Sequence, residues 1–131
     1  MKVEPSARDL LEIARATLLA EIAPALPEAH RYGALMAANA LAIAGRELAA
    51  PDGGAAETAR LVALLPGWAP LGDGPEILRE GTARLAARIR EGAFDEGPAR
   101  ETLLAHLRET VRARLAVSNP RALARDKGTA R

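Results

Sequence analysis

From Tyr32 to Gly45 the chain carries no charged side chain, and the run is bounded by Arg31 on one side and by Arg46 and Glu47 on the other. A membrane span needs about 20 apolar residues, so this run is too short to cross a bilayer. At about 100° per residue, Tyr32, Leu35, Met36, Asn39 and Ile43 share one side of a helix. Ala34, Ala37, Ala38, Leu41, Ala44, Gly45 and Leu48 fall on the opposite side. A helix that is apolar all round is usually buried on most sides, so the pattern predicts a central helix over residues 28–49, sheltered by amphipathic neighbours.

The remaining segments supply those neighbours. Ser6 with Asp9 three residues on reads as a capping box, and Leu11, Ala14, Leu18 and Ile22 follow at helical spacing, which predicts a helix over 7–22. Pro24 and Pro27 end it, because proline lacks an amide donor and crowds the preceding turn. After Pro51-Asp52-Gly53-Gly54, a short helix over 59–65 is expected, closed by Pro66-Gly67 with Trp68 as an anchor. Pro75 opens a helix to about residue 92, with Leu78, Gly81, Leu85 and Ile89 on one side and Glu80 and Arg84 placed to pair on the other. Gly81 in mid-helix costs about 1 kcal/mol against alanine, which fits either a close helix crossing or a glycine without a packing role. Pro98 opens a last helix to about Ser118, in which Leu104, Leu107, Val111 and Leu115 form the stripe.

No segment alternates long enough to demand a strand, and Phe, Trp and Tyr occur once each in a chain rich in alanine and leucine. Ala and Leu favour helix and aromatic residues favour strand, so composition and periodicity agree on an all-α fold. With 131 residues the expectation is a single-domain bundle of four to five helices over 1–120, followed by a basic, flexible C-terminal tail over 121–131. Residues 112–131 carry Arg112, Arg114, Arg121, Arg125, Lys127 and Arg131 against Asp126, a net +5 in a chain of net +1. A basic end without aromatic residues to stack on bases makes a poor nucleic-acid site, and a solvated tail is the leading reading. The start, Met1-Lys2-Val3-Glu4-Pro5, has no apolar core of a signal peptide, so the cytoplasm is the expected compartment.

No catalytic constellation stands out. The chain has no cysteine, and His30 and His106 belong to no metal-ligand spacing, so neither a metal site nor a cofactor is expected. His106 is placed on the solvent side of the last helix, opposite Leu104 and Val111. The loop Gly72-Asp73-Gly74-Pro75 lacks the spacing and the terminal Lys-Ser/Thr of a phosphate loop, and a turn before a proline helix start accounts for it. Asn39 is the oddest residue, an amide in the middle of the helix expected to be most buried, where it needs hydrogen-bond partners. Either another helix satisfies it or a ligand does. Arg46, two turns along the same face at the helix end, is placed for an anion or for capping. Ile13, Ala16 and Ala20 make a second small apolar strip on the first helix, a surface for a partner or for self-association.

Two motifs carry a family resemblance: Ala37-Ala38-Asn39-Ala40-Leu41-Ala42-Ile43 through Arg46-Glu47-Leu48, and Leu103-Leu104-Ala105-His106-Leu107 through Leu115-Ala116-Val117-Ser118-Asn119-Pro120-Arg121. They resemble a family of uncharacterised bacterial helical domains that genomes tend to place beside aminoglycoside-phosphotransferase-like kinases and acyl-CoA dehydrogenases. The family often has an aromatic residue after the second motif, where this chain has Ala122. The resemblance implies a non-enzymatic accessory or interaction domain, with a phosphotransferase-like or acyl-CoA dehydrogenase protein as its partner. The alternative is a module that binds an acyl or CoA-like anion between helices. Asn39 and Arg46 in the first motif, with Asn119 and Arg121 in the second, are the candidate binding residues.

Overall fold

A computed structural model describes the backbone of residues 3–50, 52–72 and 74–129, and side chains as far as residue 125. Pro51, Asp73 and the last two residues of the expected tail lie outside it, as do the side chains of Asp126 and Lys127. The described residues are helical, with no strand among them. Six α-helices follow in order: α1 (Ala7–Thr17), α2 (Glu28–Leu48), α3 (Ala55–Leu64), α4 (Pro75–Arg90), α5 (Gly97–Ser118) and α6 (Pro120–Thr129). They group into two compact units, Met1–Ala50 with Ala116–Arg131, and Pro51–Leu115.

In the first unit α1 packs along α2. The Ser6 hydroxyl accepts the Asp9 amide at 3.2 Å, and the Asp9 carboxylate accepts the Ser6 amide at 2.9 Å, the reciprocal box read from the sequence. The Ser6 hydroxyl also donates to the Asp9 carboxylate at 2.6 Å, and that bond, followed by the one from the Ser6 amide, holds the Asp9 carboxyl below its ordinary range. The expected single helix to Ile22 is interrupted. It widens to a π-turn over Leu18–Ile22, in which the Ala23 amide reaches the Leu18 carbonyl, and then tightens to a 3₁₀ turn over Ala23–Ala25. The change falls just before Pro24, which has no amide to donate and whose ring crowds the carbonyl four residues back.

The central position expected for α2 is corrected by the exposures. Only Ala34, Ala38 and Gly45 are buried on it, whereas Tyr32, Leu35, Met36 and Leu48 stand exposed. The covered face is the one on α1. Burying alanine removes little apolar area from water, so an alanine-rich helix gains little by sheltering every side.

The second unit holds the denser core. Leu61, Leu64 and Leu65 meet Leu85, Phe94 and Leu103, with Trp68 and Leu78 packed against them. Leu61 is 0% exposed. The α3 helix starts four residues earlier than its apolar periodicity predicts, because the Asp52 carboxylate accepts the amides of Gly54 and Ala56 at 3.1 and 3.2 Å and caps the first turn. Pro75 begins α4 as expected, and the Glu80–Arg84 pair on its solvent face closes at 2.8 Å.

Gly81 of α4 is buried beneath the Trp68 indole: a Cβ there would stand 2.5 Å from Trp68 Cη2 and 3.0 Å from Leu61 Cδ1. Residues read as a flexible tail begin instead as α6, whose first turn closes through the Ala122 amide on the Asn119 carbonyl at 3.0 Å.

Candidate functional site

Of the expected candidates Asn39, Arg46, Asn119 and Arg121, only Arg46 lines a groove against α1. On the α1 side a groove of about 470 Å³ runs along the helix pair, with Leu11, Leu41, Ala42, Gly45 and Ala49 as its apolar lining. Arg8, Glu12, Arg15 and Arg46 line it as well. Arg8, Leu11 and Arg15 recur at i, i+3 and i+7, which aligns them on one side of α1. Glu12 pairs with Arg8 at 3.0 Å.

Arg46 does more than line the groove. Its Nε donates to the carbonyl of Val117 at 2.6 Å, a partly buried contact. Val117 lies in the last turn of α5, where carbonyls lack helical partners and a cation is favoured by the helix dipole. The capping role open to Arg46 in the sequence is therefore exercised on a different helix from its own. This contact brings the end of α2 to within two residues of Asn119. Asn119 and Arg121 are both exposed, and Asn119 sits immediately before α6.

Asn39 is not in the groove and is not buried, which corrects the expectation of a core amide. It lies on the outer side of α2 with Tyr32, Leu35 and Met36, which are 73%, 51% and 44% exposed. An exposed amide is open to solvent, so no helix or ligand is required to satisfy it. Asn39 and Arg46 are seven residues apart, about 10 Å along the axis, and do not line one pocket.

His106 is also corrected: it is buried, at 5% exposure, beside Thr110 on α5. The buried stripe of α5 is Leu103, His106 and Thr110, while Leu107 and Val111, expected in the core, are exposed. Thr58 on α3 is buried too, and Arg114 of α5 pairs with Glu57 of α3 at 3.5 Å. The Thr58 and Thr110 hydroxyls and His106 Nδ1 have no hydrogen-bond partner among the described residues. Polar residues thus fill a stripe that an apolar periodicity search passes over.

Burial, followed by the charge of Arg60, holds the His106 imidazole below its ordinary pKa of 6.5. The neutral form is favoured in the folded state, so the unfolded chain binds the extra proton first as pH falls through that value. Stability is expected to be higher at pH 7.5 than at pH 5.5 in urea unfolding followed by Trp68 fluorescence. His106→Leu should flatten most of that difference. An unchanged pH dependence in the variant would assign it to other groups.

Among the described residues no group of three or more His, Asp or Glu is gathered closely enough to hold a metal ion, and no helix is long and apolar enough to cross a membrane. A family described as a domain of unknown function, DUF6285, matches residues 24–122, which hold α2 to α5 and the start of α6. No curated protein and no solved structure matches the chain.

Proposed function

Because the chain belongs to the DUF6285 family of domains of unknown function, we propose its role from its surface: a non-enzymatic accessory domain that docks onto a partner enzyme through the outer side of α2. The observation that supports this reading is the exposure of Tyr32, Leu35 and Met36 on successive turns of one helix face. They stand in a run that stays uncharged to Gly45, about 20 Å of helix at 1.5 Å per residue.

Adjoining exposed apolar side chains mark interaction surfaces, and tyrosine and methionine are enriched at the centres of such surfaces. An amphipathic helix laid into an apolar groove of a partner is a common recognition mode. Asn39 in the middle of the strip offers both a donor and an acceptor, which fixes register across an otherwise apolar contact. The strip also lies inside the segment that matches the family.

The partner class rests on the resemblance of the two sequence motifs. An aminoglycoside-phosphotransferase-like kinase or an acyl-CoA dehydrogenase is the proposed occupant, with the cytoplasm as the setting. Co-expression of the tagged chain with each enzyme from the same genome tests it. One of the two should co-purify in a fixed ratio, and Leu35→Asp, which places a charge at a desolvated contact, should abolish recovery while leaving the helical spectrum unchanged. Recovery of neither enzyme, or equal recovery with Leu35→Asp, would contradict the proposal. A dimer of the chain lost on the same substitution would move the surface to self-association.

A further inference from the structure

The groove between α1 and α2 lies towards the C-terminal end of α2, beyond Tyr32, Leu35 and Met36, and has a chemistry of its own. Three guanidinium groups, Arg8, Arg15 and Arg46, face one carboxylate, Glu12. Glu12 is taken by Arg8 at 3.0 Å, which leaves the charges of Arg15 and Arg46 without an acidic partner among the described residues. Arg46 is held in place by its Nε bond to the Val117 carbonyl at 2.6 Å, so its side chain is ordered before any ligand arrives. That bond uses one of five N–H donors, and a guanidinium presents the rest in a planar fork suited to carboxylate and phosphate oxygens.

Beneath these charges the lining is apolar. Gly45 is buried, yet a Cβ built on it meets nothing within 4 Å, so the groove stays open directly above the α2 backbone. A volume of about 470 Å³ lies within the range of small-molecule sites, roughly 300–1,000 Å³. Paired cations beside an apolar, open bed match a ligand with an anionic head and a short apolar body. Water or a bare anion would leave the apolar half of the groove wet.

We infer that the α1–α2 groove is a binding site for an amphiphilic oxyanion, a carboxylate or phosphate carried on a short alkyl chain, with Arg15 and Arg46 holding the head and the surface around Gly45 receiving the chain. The site is independent of the docking strip, since neither Tyr32, Leu35 nor Met36 lines it.

Titration of the ¹⁵N-labelled chain at constant ionic strength tests the site, with octanoate, octyl phosphate and inorganic phosphate as probes, the amphiphiles below their micellar concentrations. Saturable shift changes centred on Leu11, Gly45 and Arg46 are expected with at least one of the two amphiphiles, and the tighter of them names the head group. Inorganic phosphate should bind about ten-fold or more weakly, the loss of two or more buried methylenes. Arg15→Gln should weaken the amphiphile about ten-fold, as for one charge-assisted hydrogen bond, while Arg79→Gln, outside the groove, leaves it unchanged. Gly45→Leu, which fills the open space without a backbone conflict, should abolish saturation. The inference is overturned by non-saturating shifts with both amphiphiles, by shifts centred elsewhere, by inorganic phosphate binding as tightly, or by Arg15→Gln binding like the unaltered chain.

Discussion

Truncating Leu61 to alanine is expected to lower the unfolding free energy of the Pro51–Leu115 unit by about 2–5 kcal/mol, towards the upper end because the side chain is fully enclosed. The loss combines two effects. The removed methyl and methylene groups no longer leave water on folding, and the space they occupied stays partly empty between Leu64, Leu85 and Leu103. Trp68 is the chain's one tryptophan and packs against this core, so urea unfolding followed by its fluorescence reads the right unit. A loss below about 1 kcal/mol would mean that the core closes over the gap or that Leu61 is not its centre.

Gly81→Leu is the second substitution with a large expected effect, and it acts by overfilling. Replacing glycine with alanine in a helix interior normally gains about 1 kcal/mol. At Gly81 the first added carbon already meets the indole of Trp68 at 2.5 Å and Leu61 at 3.0 Å. Insertion into a well-packed core costs about 1–3 kcal/mol through displaced side chains, and a leucine adds three further carbons to that conflict. We expect Gly81→Leu to destabilise the unit by at least that much and to shift Trp68 emission to longer wavelength as the ring is driven towards solvent. Gly33 on α2 makes the contrast, since a Cβ there meets nothing within 4 Å. Gly33→Ala should therefore show the helix gain undiminished, roughly 0.5–1 kcal/mol of added stability.

The local signals in the sequence were read correctly where one or two residues decide the outcome. Ser6 with Asp9, Pro75 at a helix start, and Glu80 with Arg84 all follow from chemistry within a turn or two of chain, whereas for Gly81 the sequence leaves a close approach and a glycine without a packing role both open, and Trp68 decides between them. The family, too, is one of unassigned function, as the two motifs implied. Features that depend on distant contacts were not legible. Arg46 meets Val117 across 71 positions, and no spacing rule connects them. Asp52 extends α3 backwards by capping it, which an apolar periodicity search does not see.

Two errors share one cause. An alanine-rich helix looks apolar on every side, so the pattern of α2 does not say which side its neighbour covers, and the core position it predicts for Asn39 is surface in the structure. On α5 the most apolar stripe predicts the wrong face: the chain buries Leu103, His106 and Thr110 and leaves Val111 exposed. In both helices hydrophobicity alone names candidate faces, and the packing partner chooses between them. The groove was half legible: Arg46 stood out at its helix end, but Arg15 gained meaning only once α1 was seen beside Gly45.

The proposed docking role requires the outer side of α2 to be an open surface that a partner covers. The chain has no cysteine of its own, so Leu35→Cys supplies a single thiol on that side, and its rate of modification by a soluble thiol reagent reports access directly. In the isolated chain the thiol is expected to react nearly as fast as a free cysteine at the same pH, and in complex with the co-purified enzyme many times more slowly. Slow modification in the isolated chain, or a rate that the complex leaves unchanged, would contradict it.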